Sequence, residues 1–565
     1  MREDDRRRMG AAGMVAMETR GVVEGRRRER RRRGRPASDA IALRGREVYQ
    51  SRRSIPPSPR AGRDGDTLAG MTHVEVLRNP LAESAATPWD LLAAWPQDRP
   101  IALLNRGEGA DPLPRWTLVT EPESVSTLPA ARSAPSAGDA TLVSAWLAEH
   151  LPAGGLGDTA TIAPDTPPWA TGTIALLAYE LGRRLEPAAT KPERTPSPTS
   201  KAGDARHDWD VWIARAEWSV VFDHRTRRWH RAGPVPAWAE GSLVRAALAD
   251  ADARRFHLGS LRPNESDERF ATSVERCVGL VHAGDLFQAN LSRGFEAEFD
   301  GDPRGLAAAT LAGGARFGAY VEASADEAIL SLSPELHFAV EREGVVRTCP
   351  IKGTRPAGAD LAAFAGDAKD AAELAMIVDL MRNDLGRVCR PGSIRVVEAR
   401  RFEHHPTIVH GVAEIEGRLR GDVGACELLA ATFPAGSITG APKIRAMQVI
   451  ETLENAHRGI YCGGIGWFDA TRGAMLNVAI RTATLRRVGA GTGKAWRLDY
   501  RAGCGIVADS DPTAEALESR DKTTVLARHA AGVMRRVEDP TPDAVAPRSR
   551  PRPDDRPDRR VRRPR

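Results

Sequence analysis

The sequence predicts an α+β chain in which stacked β-structure fills the first half and helices carry paired acidic residues in the second. Two observations lead there. Between Pro88 and His224, short apolar runs outnumber helical periodicities, as expected of strands packed in layers. From Ser266 onward, Phe270, Val274, Cys277, Val278 and Val281 share one face at helical spacing, ending near Gly284. At 565 residues the chain is long enough to bury a large core.

In chain order, Met1 to Gly70 carries nineteen Arg against ten acidic residues, with a block from Arg26 to Arg35 broken only by Glu29 and Gly34. So little apolar surface does not offset the entropy of ordering, and the segment is expected to be disordered. It reads either as a polyanion-binding arm or as residues preceding a true start at Met71, and the second reading is favoured. Trp89 to Trp95 predicts a short helix, and Ile101 to Leu104 and Arg115 to Val119 predict strands. Gly172 to Gly182 and Asp210 to His224 continue the globular pattern on either side of a Pro/Thr/Ser/Lys-rich loop, Pro187 to Ala205. Ser266 is a credible N-cap for the helix of the second half. These features divide the chain into an extension (1–70), an N-terminal region (71–255), a catalytic domain (260–536) and a basic tail (537–565).

Charge and cysteines exclude several classes. The net charge is +6, yet both ends are strongly basic and the body between them is acidic, which argues against nucleic acid as a partner. No run of about eighteen apolar residues offers a membrane span, and the start has no apolar stretch of a secretory signal. Six cysteines without a CxxC or a metal-ligand rhythm fit free thiols in a reducing cytoplasm.

Chemistry concentrates in a few segments. Lys352 lies between an extended Cys349-Pro350-Ile351 lead-in and a Gly353-Thr354 pair, so a strand end or tight turn presents its amine. Asp370 and Glu373 lie three apart in a helical stretch, and Glu515 and Glu518 three apart in a helix opened by Asp511-Pro512; each pair shares a face. Arg481 offers a planar fork suited to a carboxylate. Gly503 and Gly505 are expected to let backbone N–H groups approach an anion as in a nest. His410 sits on an apolar strand, and Ser437 and Thr439 lie in a Gly-rich turn, Gly436 to Gly440.

Taken in order, Pro350-Ile351-Lys352-Gly353-Thr354, the segment Asp370 to Arg387, Phe433 to Lys443, and Gly503 to Ser510 resemble the chorismate-utilising enzymes from about Pro88 to Arg528. Anthranilate synthase component I, aminodeoxychorismate synthase component I and the isochorismate and salicylate synthases make up that group. The resemblance implies stacked antiparallel β-sheets with helices packed outside, as in anthranilate synthase component I. Lys352 is similar to the lysine of the aminodeoxychorismate branch, since relatives making anthranilate or isochorismate carry alanine there. The implied reaction joins chorismate and ammonia to give 4-amino-4-deoxychorismate, the precursor of p-aminobenzoate for folate. The alternative is the anthranilate reaction of tryptophan biosynthesis.

The resemblance also implies roles. Lys352 would be the nucleophile and Glu335 the acid-base group. Glu373 and Glu518 match magnesium ligands, with Asp370 and Glu515 as the outer pair; Mg²⁺ takes oxygen donors and keeps several waters. Asp370 stands where a glutamate is usual. His410, Tyr461, Ser437, Thr439, Gly503 and Gly505 match the substrate-facing positions, and Arg481 is the expected donor to a substrate carboxylate. Phe287, Ala413 and Cys504 depart from the residues usual at theirs. The place of a tryptophan-binding Leu-Leu-Glu-Ser motif reads Leu103-Leu104-Asn105-Arg106, which speaks against tryptophan regulation. A separate glutamine amidotransferase subunit is implied as the ammonia source, forming a heterodimer.

Overall fold

The computed structural model describes residues 74–76 and 86–529, apart from 110, 112, 132–134, 157–164, 170, 191–206, 249–255, 406–407 and 489–494. The expectations for residues 1–70 and 537–565, and for most of the loop ending at Ala205, lie outside these residues.

Two antiparallel sheets form the body, in keeping with the α+β expectation. The larger has thirteen strands. It runs from Val74–Val76 through Arg228–Ala232, Ser219–Asp223, Pro114–Thr120, Ala102–Gly107, Ala319–Ser324, Glu327–Ser331, Thr482–Arg487 and Ala495–Ile506 to the long strand Gln288–Gly301. Three short strands, Arg262–Pro263, Phe256–Leu258 and Gly440–Ala441, also pair with Gln288–Gly301. The smaller has ten. It runs from Ile351–Pro356 through Ile408–Arg418, Val345–Cys349, Leu336–Val340, Gly473–Asn477, Gly464–Asp469, Gly172–Leu177 and Trp209–Ala216 to Glu123–Pro129, with Arg395–His404 also on Ile408–Arg418.

The strands are apolar at successive positions because both of their faces are covered. Side chains alternate across a strand. Leu104 and Ala102 accordingly join Ile174, Leu176, Trp212 and Ile465 in the core between the sheets. Leu103 faces the other way, into a cluster with Leu91, Leu243 and Leu306 from the helices Pro88–Ala94, Ala237–Leu248 and Pro303–Leu311. On the smaller sheet, Ala175 and Leu177 meet Val143, Leu374 and Leu428 from the helices Ala137–His150, Ala368–Gly386 and Ala425–Thr432. Four layers result, helix, sheet, sheet and helix.

Helix starts follow their caps. Thr87 and Asp90 form a reciprocal capping box at the first helix. Ser266 Oγ accepts from the Arg269 N–H, opening Asp267–His282. Its apolar face packs with the helices Lys443–Leu453 and Pro512–Asp521 against Ala289, Leu291, Cys504 and Ile506 of the two longest strands. That cluster fixes the end of the larger sheet at which the candidate site lies.

Candidate active site

Lys352 is presented by an irregular strand. Ile351–Pro356 pairs with Ile408–Arg418, with a register shift between Ile351 and Thr354. Gly353 within that bulge takes φ +77°. Only glycine fits there, because a Cβ would lie 2.9 Å from the Asp370 carboxylate and 3.0 Å from Phe364. The bulge turns the Lys352 amine toward the larger sheet, where Nζ lies 3.1 Å from the position a Cβ on Gly505 would take. The two sheets therefore meet at this lysine. Burial lowers its pKa, against Glu373 and Glu335, which raise it. Among the described residues it has no carboxylate within ion-pair distance.

Glu335 follows the Ser333-Pro334 turn and is 3% exposed. Burial pushes its carboxyl up to about 7, against the hydroxyl of Ser437, the Lys352 amine, the Ile351 N–H and Arg481. Such a group exchanges a proton near neutral pH. Ser437 Oγ is itself buried, and among the described residues it has no partner besides Glu335.

Arg481 and His410 form the opposite wall. Arg481 takes φ +52° and its carbonyl accepts from the Leu332 N–H, so the backbone aims its guanidinium. Among the described residues no carboxylate pairs with it, and burial lowers its pKa. Its Nη2 lies 3.4 Å from His410 Nε2, and His410 Nδ1 lies 2.9 Å from Thr354 Oγ1. Arg481 donates, so Nε2 accepts and Nδ1 carries the proton toward Thr354. Burial, with Arg481 and His405 beside it, holds His410 well below the usual histidine range, consistent with a neutral ring.

The acidic pairs come from two helices and differ in their surroundings. Glu373 has no ion-pair partner among the described residues. Burial raises its pKa, and Asp370 and Glu515 add to that while Lys352 and Lys369 oppose it. Asp370 is taken by Arg355 at 2.8 Å. Glu515 accepts from Ser510 Oγ at 2.7 Å. Against burial, Lys522 holds Glu518 below its ordinary value, with Nζ at 2.8 Å. Carboxylate oxygens in mutual repulsion beside one another suit a divalent cation.

Other expected site residues sit differently. Gly503 and Gly505 lie in the extended strand Ala495–Ile506, opposite Ser292 and Asn290, so they form no nest. Their use is close approach: a Cβ on Gly505 would lie 2.4 Å from Gln288 Nε2, and one on Gly503 would lie 2.2 Å from the Leu291 carbonyl. Thr439 turns its hydroxyl back onto the carbonyls of Ala435 and Gly436, bracing the turn. Tyr461 is buried, with the Arg458 guanidinium 5.9 Å from its ring, and no contact links it to Lys352 among the described residues.

Three further groups stand out only in the folded chain. Gln288 is fully buried, with both carboxamide atoms unpartnered among the described residues, beside Lys352 across Gly505. Lys522 donates to the Gly503 carbonyl at 2.7 Å as well as to Glu518. Glu454 receives the Ser292 N–H and hydroxyl, Arg458 and Arg501, tying the two long strands to the helix Lys443–Leu453. Lys522 lies four residues after Glu518, an ion-pair spacing legible in sequence. Gln288 stands in the Gly284 to Ser292 segment, but nothing in its spacing announces burial. A cavity of about 390 Å³ opens beside Glu373, lined also by Lys369, Asp509 and Phe287, which is 69% exposed.

A buried amine with a lowered pKa, a carboxyl that titrates near neutrality, a guanidinium without a carboxylate partner among the described residues and a carboxylate cluster meet at the junction of two antiparallel sheets. The sequence matches the chorismate binding enzyme family over residues 123–528, and the chain belongs to that family. It is 36% identical over 366 residues to aminodeoxychorismate synthase component 1 of Klebsiella aerogenes, covering 63% of this chain and 76% of that protein. An anthranilate synthase component 1 of Halobacterium salinarum is 38% identical over 294 residues, 50% of this chain and 55% of that protein. Among solved structures, anthranilate synthase component I from Streptococcus pneumoniae matches with a TM-score of 0.58 and 26% identity, covering 73% of this chain and 92% of that one.

Proposed function

We propose that the chain is the synthase component that converts chorismate and ammonia to 4-amino-4-deoxychorismate, feeding p-aminobenzoate and folate synthesis in the cytoplasm. The observation that carries this is Lys352: an amine without an ion-pair partner among the described residues, its pKa lowered by burial, set beside a glutamate that titrates near neutrality. The similarity to an aminodeoxychorismate synthase component 1 over three quarters of that protein supports it. All six cysteines are free, in keeping with a reducing compartment, and among the described residues no helix is long and apolar enough to cross a membrane.

Arg481 receives one substrate carboxylate, with its fork oriented by neutral His410. Glu373 and Glu518 would hold magnesium, with Asp370 and Glu515 outside them. When bound, that ion neutralises the other carboxylate of the substrate. Lys352 Nζ then bonds to the conjugated ring carbon as the ring hydroxyl departs, and Glu335 gives that hydroxyl a proton, so that water leaves. Ammonia forms the new carbon–nitrogen bond and expels the lysine amine. A separate glutamine amidotransferase subunit supplies the ammonia.

Product mass spectrometry tests this reading with purified protein, chorismate, Mg²⁺ and ammonium at mildly alkaline pH. The expected product is a non-aromatic amine that keeps its enolpyruvyl group. With ammonia withheld, intact-mass analysis is expected to find an adduct of chorismate less water, absent from Lys352→Ala. Anthranilate together with pyruvate would move the protein to the tryptophan pathway and reduce Lys352 to a cation that pairs with substrate.

A further inference from the structure

One donor at the acidic site is not an oxygen. Cys504 lies on Ala495–Ile506, with Gly503 and Gly505 facing the opposite side of the strand. Its sulfur points beneath the helix Pro512–Asp521, which carries Glu515 and Glu518. The Sγ and one carboxylate oxygen from each glutamate lie within 4.8 Å of one another. The sulfur donates to the Glu515 carbonyl at 3.4 Å and also meets the Glu518 carboxylate. The group grades outward, from buried sulfur through half-buried Glu515 to exposed Glu518, which leaves an approach from solvent. A positive charge already stands there: the Lys522 ammonium is 2.8 Å from Glu518 and 3.9 Å from Cys504 Sγ.

Such a donor set distinguishes between ions. Magnesium takes oxygen and gains little from sulfur. Thiolate sulfur with two carboxylates and one open position is a three-ligand arrangement that zinc and its heavier congener cadmium accept. Closing the group to the roughly 3.5 Å ligand spacing of a tetrahedral ion would take side-chain movement, and Glu518 is the most exposed of the three. We propose that Cys504, Glu515 and Glu518 form a site for thiophilic divalent ions, which overlaps the magnesium site at Glu518. The inference rests on the reading of Glu518 as a cation ligand, and not on the reaction catalysed. On binding, a metal–sulfur bond forms, the thiol proton leaves to buffer, and the Lys522 ammonium gives up Glu518 while keeping the Gly503 carbonyl.

The test is a cadmium titration of the metal-free full chain without chorismate, followed by the ultraviolet thiolate-to-cadmium charge-transfer band. One cadmium per chain is expected to saturate the band, and excess Mg²⁺ is expected to weaken binding by competing for Glu518. Cys504→Ser, checked for folding by circular dichroism, is expected to lose the band. Glu515→Gln, which keeps the thiol in place, is expected to bind at least about ten-fold more weakly. A parent protein without the band, a band that survives in folded Cys504→Ser, indifference to Mg²⁺, or unchanged affinity in Glu515→Gln would each overturn the proposal. None of these readouts depends on which product the enzyme makes, so the proposed reaction stands or falls separately.

Discussion

Burial keeps Glu335 in a state that costs stability as its carboxyl ionises. Its carboxyl ordinarily titrates at 4.5, and in the fold at about 7 because it is buried. Between those values the folded protein holds a proton that the unfolded chain has released, so stability falls as pH rises through that window. Glu335→Gln cannot ionise. It is expected to unfold at higher denaturant than the parent above pH 7, by up to roughly 3 kcal/mol, with the gap closing below about pH 4. A gap independent of pH would mean that the carboxyl is solvated in the folded state. Gly353 carries a complementary constraint. Alanine there adopts a left-handed φ at a cost of about 1–2 kcal/mol and drives its Cβ into Asp370, which Arg355 holds in place. Gly353→Ala is therefore expected to lose both stability and the Lys352 adduct. Retention of full adduct yield would separate the bulge from the presentation of the amine. The sequence marks the lysine and its glycine, but not the bulge, which exists only through the register shift against the His410 strand.

At the scale of elements, the acidic residues are placed by helices whose starts are written in local chemistry. Asp511 Oδ1 accepts from the Ala514 N–H at 2.7 Å and Pro512 occupies the first turn, so Glu515 and Glu518 project from a fixed helix end. Asp511→Ala is expected to cost about 1 kcal/mol and to raise the magnesium concentration that half-saturates activity, measured by titration beside a denaturation curve. Lost stability with an unchanged magnesium requirement would uncouple the cap from the site. Caps, spacing and partners three or four residues apart are local, and for that reason both acidic helices and the helix after Ser266 are legible in the sequence. Contacts between elements are not. Asp370 is held by Arg355, and Gly503 and Gly505 lie in a strand packed against Gln288 and Leu291. The Arg355 contact and the setting of the glycines depend on which element neighbours which, and glycine in a turn reads the same in sequence as glycine beneath a close neighbour.

At the scale of the molecule, the sheets interleave the two halves of the chain. Ala102–Gly107 pairs with Ala319–Ser324, and Gly172–Leu177 pairs with Gly464–Asp469. Residues from both halves also fill the core between the sheets, Leu104 and Trp212 beside Val321 and Trp467. Across the same gap Arg106, on the larger sheet, pairs with Glu341, just after a strand of the smaller one. Arg106 lies at the place matched to a tryptophan-binding motif, and its buried guanidinium is held there by that carboxylate. The candidate site residues, from Gln288 to Lys522, all lie in the second half, yet the sheets that aim them do not. A fragment of residues 260–536 would expose the edges of Ala319–Ser324 and Gly464–Asp469, with unpaired backbone groups and uncovered apolar faces. It is expected to aggregate or to lack a cooperative unfolding transition. A chain beginning at Met71 keeps Val74–Val76 on its partner Arg228–Ala232 and is expected to unfold cooperatively and to form the Lys352 adduct. Circular dichroism with denaturant on the two proteins decides it: a cooperative transition in the 260–536 fragment would mean that the second half carries its own fold, and that the first is an accessory to it.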